Sequence, residues 1–297
     1  MNVSKNTAYL LIVHKNTYVL EKLLELLDDV NSDIYIHVDK KCKDFDWNKY
    51  KSIVHKSQII YLKDRYEGYW GGYSLVKIEL ALIRAARSNQ EYKWYHLLSG
   101  QDLPIKSQRE IKDFFDSHAG QLFVESEDVS KSQTKVYNRV AVKQAFLKKR
   151  AYTKSKISRK FLGGLNRCYS IFQRKILKRD LVRKKHIELK YGSQWFSLPN
   201  NAIEFILKNE FKIDKYFKYA ACSDELFIQT ILSEGNFHFE NNNQRLINWN
   251  LGSGDGHPYI WREKDYNTLI KSERLFARKF DESIDKKVID QVFNHIK

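Results

Sequence analysis

Short apolar runs alternate with segments of helical periodicity over residues 1–120. Runs rich in β-branched and aromatic residues predict strands, whereas apolar residues three or four positions apart predict helices. The predicted strands are Tyr9–His14, Asp33–Asp39, Ser57–Leu62 and Lys93–Leu98, and the predicted helices are Tyr18–Leu27, Gly72–Arg87 and Ser107–Phe115. Ser107 and Glu110 form a predicted capping box. The alternation predicts an α/β fold with a mostly parallel central sheet.

Residues 191–290 return to mixed character and predict a strand at Ser193–Leu198 and helices at Asn201–Asn209 and Glu225–Leu232. We expect Ser223 to cap the last of these helices. No internal repeat divides the chain. The sequence therefore predicts one domain over residues 1–297, composed of a first half (1–125), a basic helical insertion (131–190) and a second half (191–297).

Positive charge is concentrated in the insertion. The chain has 52 Lys and Arg against 36 Asp and Glu, a formal net charge of +16, and within residues 131–190 only Asp180 and Glu188 oppose the cations. Apolar residues predict helical pieces beneath this charge, namely Leu162, Leu165, Tyr169, Ile171 and Ile176. Three interpretations stay open: a solvated helical face, a surface for anionic lipid or a phosphorylated acceptor, and a nucleic-acid surface. The last ranks lowest because no recognised nucleic-acid motif accompanies the charge.

Cysteine usage and the N-terminal residues bear on the compartment. Cys42, Cys168 and Cys222 are too few and too far apart for a disulfide framework or for zinc-ligand spacing. The apolar run before His14 is far shorter than the roughly 20 residues that span a bilayer. No cleavage-like tail follows it. We therefore expect a cytoplasmic protein, soluble or peripheral at the inner membrane face.

Polar residues follow the predicted strands of the first half. His37 and Asp39 end the second strand, Asp64 and Arg65 follow the third, and Asp102 follows the fourth. In open parallel sheets, ligands bind at the carboxyl ends of the strands. The sequence therefore predicts a binding site at this edge.

A set of locally unusual segments occurs in a fixed order along the chain. They are residues 36–40 (IHVDK), 69–74 (YWGGYS), 98–104 (LSGQDLP), 192–196 (GSQWF), 223–225 (SDE) and 275–281 (LFARKFD). Together they resemble the core-2/I-branching enzyme and peptide O-xylosyltransferase family, glycosyltransferase family 14. The resemblance covers about residues 8–125 and 190–285. The basic insertion matches poorly, and we expect acceptor choice to differ there.

The resemblance implies a GT-A-type fold and an inverting transfer from a UDP-sugar, without a cofactor or a divalent metal. It makes residues 1–125 the nucleotide-binding half and 191–297 the acceptor and catalytic half. The expected donor sugar is GlcNAc, xylose or galactose. Animal members of the family have an N-terminal anchor and many cysteines. The absence of both features in this sequence points to a bacterial-type member.

The resemblance also implies a catalytic base at Glu225. The acceptor hydroxyl must lose a proton as it attacks the anomeric carbon, and a nearby carboxylate accepts that proton. Asp224 is the second candidate for the base. The alternative is that both carboxylates only complement a helix dipole.

Arg245 and Lys279 match the family's pattern for a pair of cations that bind the leaving diphosphate. Positive side chains stabilise the negative charge that develops on the leaving diphosphate, as a bound metal ion would. Asp39 offers a single carboxylate where an Asp-x-Asp metal motif is sought, and Asp44 and Asp46 lie in a polar loop. The alternative for each cation is an ordinary surface residue.

The remaining expectations concern the donor and the acceptor. The resemblance assigns nucleotide-sugar contacts to Ile36, His37, Val38, Asp39, Arg65, Trp70 and Asp102. The alternative for Trp70 is a core position, and the alternative for Asp102 is a cap of the turn before Pro104. The acceptor contacts are predicted to be Ser193, Asp224 and Trp195, with the indole as a stacking platform or, alternatively, as core.

Two classes of function remain. The first is a glycosyltransferase acting in bacterial surface polysaccharide synthesis. Its acceptor glycan is then expected to be linked to a lipid diphosphate, and the protein to contact an anionic membrane. The second is a non-catalytic protein that retains the fold and binds carbohydrate or a polyanion. Nucleic acid is not an expected partner.

Overall fold

The computed structural model describes residues 5–130, 132–252 and 257–297. Its strands are β1 (Thr7–Val13), β2 (Ser32–Val38), β3 (Gln58–Tyr61), β4 (Trp94–Ser99), β5 (Asp102–Pro104), β6 (Gln121–Leu122), β7 (Glu127–Asp128), β8 (Lys190–Tyr191), β9 (Ser197–Pro199), β10 (His238–Phe239), β11 (Arg245–Ile247) and β12 (Phe276–Arg278).

Helices surround these strands. They are α1 (Tyr18–Leu27), α2 (Trp47–Ile53), α3 (Ser74–Asn89), α4 (Gln108–Ser117), α5 (Thr134–Ala141), α6 (Leu147–Tyr152), α7 (Lys156–Lys175), α8 (Leu181–Lys184), α9 (Asn200–Lys208), α10 (Glu210–Phe217), α11 (Phe227–Leu232), α12 (Tyr266–Lys271) and α13 (Lys286–Ile296). Within the described ranges, none of the helices has both the length and the apolar character needed to cross a bilayer.

A five-stranded sheet in the order β3-β2-β1-β4-β9 forms the centre of the described structure. The β1, β2, β3 and β4 strands are mutually parallel, and β9 is antiparallel to β4. The α/β fold with a mostly parallel sheet is therefore confirmed. Parallel strands are buried on both faces, which explains why β1 is almost continuously apolar and why every residue of β2 is buried.

Two hydrophobic cores lie on opposite sides of this sheet. One includes α3 and α9, and the other includes α1, α4 and α13. The Thr17 side chain caps α1 by accepting a hydrogen bond from the Leu20 amide at 3.0 Å. The predicted capping box of α4 is confirmed, because Ser107 and Glu110 each accept from the other's backbone amide.

A small sheet in the order β11-β12-β5 joins the two halves of the chain. β12 runs antiparallel to β5, and this register sets Arg278 opposite Asp102. The strand predicted at Ser193–Leu198 is shorter than expected, because only β9 pairs there.

The helix predicted at Glu225–Leu232 begins later than expected. Residues Ser223–Glu225 form a separate 3₁₀ turn, and α11 starts at Phe227. Ser223 does not cap the helix, and its buried hydroxyl has no partner among the described residues. The positive φ of Cys222, 47°, turns the chain before this segment.

The insertion contains α5 to α8, so the predicted helical pieces are confirmed. Their apolar residues do not lie beneath the charge, because Leu165, Tyr169, Ile171 and Ile176 are all exposed. The division of the chain into two halves and an insertion stays a prediction.

Candidate active site

Cations gather at the carboxyl edge of the parallel strands. Lys15 follows β1, and Lys279 follows β12. Burial and the positive charges of Arg278 and Lys15 lower the pKa of Lys279. Desolvation and the charges of Lys15 and Lys279 likewise lower the pKa of His14. Asp281 Oδ2 lies 3.9 Å from Lys15 Nζ and offsets part of this charge. The remaining excess of positive charge from Lys15, Arg278 and Lys279 favours an anionic ligand.

Arg278 makes two polar contacts and one aromatic contact at this edge. Its Nη1 atom donates to Asp102 Oδ1 at 2.6 Å and also to the Ser99 hydroxyl. Its guanidinium carbon lies 4.4 Å from the centroid of the Trp195 ring. Arg278 is therefore fixed in direction by a buried carboxylate on one side and an indole on the other.

Asp102 itself is fully buried. Besides Arg278, its carboxylate accepts from the Ser99 amide at 2.7 Å and the Ser99 hydroxyl at 2.9 Å. The expected contact with donor-sugar hydroxyls does not fit this geometry. Asp102 closes the turn, as the alternative interpretation held, and it orients Arg278.

Trp195 is buried, and the guanidinium of Arg278 covers its ring. The expected role as an acceptor platform is therefore wrong in this structure, and the core alternative fits. Ser193 is half-buried, and its hydroxyl accepts from the Trp195 amide at 3.3 Å. The Ser193 carbonyl accepts from Gln229 Nε2 at 2.6 Å. Ser193 is thus part of a local hydrogen-bond network.

Glu225 lies on the 3₁₀ turn before α11. Its Oε2 atom accepts a hydrogen bond from Arg139 Nη1 at 2.6 Å. Arg139 belongs to α5 of the insertion, and its guanidinium lies 5.4 Å from the centroid of the Tyr191 ring. The Glu225 side chain keeps 28% exposure. It is therefore an oriented carboxylate that an acceptor can still reach.

Two further carboxyl groups are buried near Glu225. Burial and the charge of Glu225 raise the pKa of Asp224 to about 7. Burial and the charge of Asp224 raise the pKa of Glu79 well above its ordinary value. Gln194 Nε2 donates to Glu79 Oε1 at 3.0 Å. Because Asp224 is buried, the predictions that it binds the acceptor or acts as the base do not fit this structure.

The segment from Gly192 to Trp195 contacts both the Glu225 turn and the Arg278 guanidinium. The Gly192 amide donates to the Glu225 carbonyl at 3.0 Å, and Trp195 lies under Arg278. A Cβ atom on Gly192 would lie 1.9 Å from the Glu125 carbonyl oxygen, so only glycine fits. Three residue steps span at most about 11 Å. The backbone of the Glu225 turn and the Arg278 guanidinium therefore contact the same four-residue segment.

The β2 segment expected to contact the nucleotide is largely interior. Ile36 and Val38 are core side chains, and the nucleotide contacts expected of this strand end stay a prediction. His37 is buried as well, and its Nε2 atom accepts from the Tyr66 amide at 2.9 Å. Burial lowers the pKa of His37 to about 4, so the imidazole is neutral. The Asp39 carboxylate accepts from the Gly68 amide at 3.0 Å.

Arg65 and Trp70 lie on the long loop between β3 and α3. The Nε atom of Arg65 donates to the Val38 carbonyl at 2.9 Å, and Nη2 donates to the Asp39 carbonyl at 2.7 Å. Arg65 therefore supports the end of β2. Trp70 is 66% exposed, which excludes the core alternative. The adjacent Gly71 carbonyl accepts from the Cys222 amide at 2.9 Å, so the backbone next to Trp70 lies against the turn that carries Glu225.

Arg245 is in the core. Its Nη1 atom donates to the Ser197 hydroxyl at 2.7 Å, and Nη2 donates to the carbonyls of Phe196 at 2.7 Å and Leu97 at 3.0 Å. Burial lowers its pKa to about 9. The prediction of a diphosphate contact at Arg245 is therefore wrong in this structure, because the guanidinium ties β4 to the 196–197 segment.

Sequence reasoning missed Arg139, Arg278 and Glu79. Arg278 adjoins Lys279 within the LFARKFD segment, so the motif itself contained the signal. Glu79 lies three residues after Val76 and four before Ile83, which is an acid on the apolar face of α3. Arg139 offered no signal, because it is one cation among many in the basic stretch.

Metal binding has no obvious site in the part of the chain that the structure describes. No group of three or more His, Cys, Asp or Glu side chains there is arranged to hold an ion. Metal-independent transfer stays a prediction.

The α/β fold and its polar carboxyl edge fit a glycosyltransferase of GT-A-like architecture. A family model described as Core-2/I-Branching enzyme matches residues 7–271. The chain therefore belongs to this family, and the resemblance seen in the sequence is confirmed.

Individual relatives are distant. Xylosyltransferase 2 of Rattus norvegicus is 23% identical over 316 residues, which cover 97% of this chain and 33% of that protein. Xylosyltransferase 1 of Homo sapiens is 22% identical over 309 residues, covering 96% and 30%. The chain thus spans about a third of the length of the curated relatives it matches.

Two solved structures are similar in part. Mouse xyloside xylosyltransferase 1 in its apo form has a TM-score of 0.40 at 10% identity, covering 93% of this chain and 97% of that chain. S. aureus TarS has a TM-score of 0.28 at 14% identity, covering 40% and 21%. Neither match bears on the roles of individual residues.

Proposed function

We propose that this glycosyltransferase moves a sugar from a UDP-sugar to an acceptor hydroxyl with inversion at the anomeric carbon. Glu225 is the general base, and Lys279, with Arg278 and Lys15, stabilises the departing diphosphate without a metal. The observation that carries the proposal is the Gly192–Trp195 segment, which contacts both the Glu225 turn and the Arg278 guanidinium.

The step is a single displacement. The acceptor O–H gives its proton to the Glu225 carboxylate while its oxygen forms the new bond to the anomeric carbon. The bond from that carbon to the diphosphate oxygen breaks at the same time, and UDP leaves with the electron pair. The developing charge on UDP is stabilised by the fixed cations at the sheet edge.

The printed names of the relatives make UDP-xylose the first donor to test, followed by UDP-GlcNAc and UDP-galactose. An acceptor glycan linked to a lipid diphosphate, in bacterial surface polysaccharide synthesis, remains our proposed acceptor class. A cleft of about 720 Å³ lies between the insertion and the β3–α3 loop, and its basic lining supports the proposal of an anionic acceptor. Its lining includes Lys40, Arg65, Lys77, Lys148 and Lys218.

The test is a screen of UDP-sugars for slow hydrolysis without an acceptor, with UDP release as the readout. One UDP-sugar should be hydrolysed faster than the others, and the matching GDP-sugars should not be hydrolysed. If no nucleotide sugar is turned over with or without an acceptor glycan, the catalytic proposal is wrong.

The non-catalytic alternative draws on the net charge of +16. Thermal unfolding separates the two, because a ligand that binds the folded state raises the melting temperature. UDP should raise the melting temperature of a transferase. A rise with heparin or DNA alone would favour a polyanion-binding protein.

A further inference from the structure

Helix α7 presents its apolar side chains to solvent. Ile157 is 83% exposed, Phe161 65% and Ile176, just past the helix end, 67%. The apolar positions 157, 161, 165, 168, 172 and 176 recur at intervals of three and four, so they share one face. A stripe of this kind ordinarily faces a core.

Polar side chains instead attach α7 to the protein. Asn166 Oδ1 accepts from the Ala145 amide at 2.7 Å, and Asn166 Nδ2 donates to Gln144 Oε1 at 2.9 Å. The buried Gln173 donates from Nε2 to the Lys143 carbonyl at 2.8 Å and accepts from the Lys143 amide at 3.1 Å. These contacts fix which face points inward. The amphipathic orientation of α7 is therefore the reverse of the usual one.

The charge around the apolar face is of a single sign. Residues 156–179 contain no Asp or Glu and contain Lys156, Arg159, Lys160, Arg167, Arg174, Lys175, Lys178 and Arg179. Lys156, Lys160, Arg167 and Arg174 are spaced by four and seven residues, so they share one face of the helix, between the apolar stripe and the side that binds the protein. A second copy of the chain would bring like charges together, whereas anionic headgroups above acyl chains complement both features.

We propose that α7 lies in the plane of an anionic bilayer, with Ile157, Phe161, Phe172 and Ile176 in the interfacial region and the flanking cations on the headgroups. At 20 residues the helix is about 30 Å long, and its polar face remains bonded to the protein. This inference stands on α7 alone and does not depend on the proposed reaction.

Docking through α7 would also bear on the candidate active site. The insertion supplies Arg139 to Glu225 and, through Tyr152, a hydrogen bond of 3.0 Å to Glu67 on the β3–α3 loop. If the proposed transfer is correct, the bilayer contact holds the insertion, and with it Arg139, near a lipid-linked acceptor.

The test is vesicle flotation of the full chain with phosphatidylcholine alone or mixed with phosphatidylglycerol. The protein should float with the anionic vesicles only, and added salt should weaken the binding. The double substitution Phe161→Ser and Phe172→Ser should weaken it about a hundred-fold, because two buried rings are lost. The double charge reversal Lys160→Glu and Arg167→Glu should also weaken it.

Phe211→Ser is the matched control, because Phe211 is an exposed ring on α10 outside the insertion. It should leave flotation unchanged, and unchanged circular dichroism melting would show that the α7 variants are folded. UDP-sugar hydrolysis in solution should survive the Phe161 and Phe172 changes, which separates this inference from the proposed function. The proposal would be overturned if the wild type and the Phe161/Phe172 double variant bound vesicles equally well, or if the protein bound only neutral vesicles. It would also be overturned if the protein formed a dimer that the Ser substitutions dissociated.

Discussion

Arg139 and Glu225 form an ion pair with 2.6 Å between Nη1 and Oε2, although 86 residues separate them in the chain. The pair joins α5 of the insertion to the turn before α11. It leaves the carboxylate partly exposed and fixes its direction. The insertion is therefore part of the candidate active site.

Replacing Arg139 tests this positioning role. Arg139→Ala should lower kcat by about ten-fold to a hundred-fold with a small change in the donor KM, because a free carboxylate loses its reactive orientation. Arg139→Lys should recover part of the loss. Steady-state kinetics give the comparison, and Lys149→Ala in the same insertion is the control. An unchanged kcat in Arg139→Ala would remove the positioning role.

Replacing Glu225 tests the base. Glu225→Gln keeps the shape of the side chain but cannot accept the proton, so kcat should fall by roughly a hundred-fold or more. UDP binding measured by calorimetry should stay unchanged. Glu234→Gln, at a surface carboxylate paired with Lys212, should have no effect on either quantity. Comparable turnover in the Glu225 variant would end the assignment.

Lys279 is expected to act on the diphosphate and not on the base of the nucleotide. Lys279→Ala should weaken UDP binding by about ten-fold and leave uridine binding unchanged, because a charge-assisted contact is lost. Lys271→Ala, at an exposed lysine of α12, is the control for a general loss of charge. Equal losses for UDP and uridine would argue against a phosphate role.

Local sequence patterns predicted the sheet and its flanking helices well. The strand runs, the α1 helix and the α4 capping box depend on residues a few positions apart, so their signals are contained within one segment. The family resemblance added the segments that meet at the carboxyl edge. Both kinds of information come directly from the order of residues.

Side-chain exposure was harder to predict. Arg245 and Arg278 lie on adjacent strands, yet the first is in the core and the second borders the site. The two tryptophans singled out as ligand contacts differ similarly, since Trp70 is exposed and Trp195 is covered by Arg278. The exposure of these side chains depends on contacts with residues far away in the sequence, which the local pattern of polar and apolar residues does not predict.

Removing divalent metal should leave transfer largely intact. The proposed charge stabilisation comes from Lys15, Arg278 and Lys279, which chelators do not affect. Activity should be measured with EDTA and again with added Mn²⁺, while a metal-dependent transferase in the same buffer confirms that chelation is complete. Loss with EDTA and recovery with Mn²⁺ would contradict the metal-free proposal.

The buried Asp224 should make stability depend on pH. Burial raises its pKa from 3.8 to about 7 in the folded state. Between these values the folded protein holds a proton that the unfolded chain has released, so the free energy of unfolding falls as pH rises from about 4 to about 7. Above that range the loss is complete and reaches at most about 4 kcal/mol.

Asp224→Asn removes this titration, so the variant should lose less stability than the wild type between pH 5 and pH 8, about 1 to 3 kcal/mol less in urea unfolding. The charge of Asp224 also raises the pKa of Glu79, so the difference between the two proteins includes the part of the Glu79 shift that this charge causes. Asp214→Asn, at a half-exposed carboxylate, is the control and should follow the wild type. Parallel pH curves for the wild type and Asp224→Asn would show that this carboxyl group does not titrate as the structure implies.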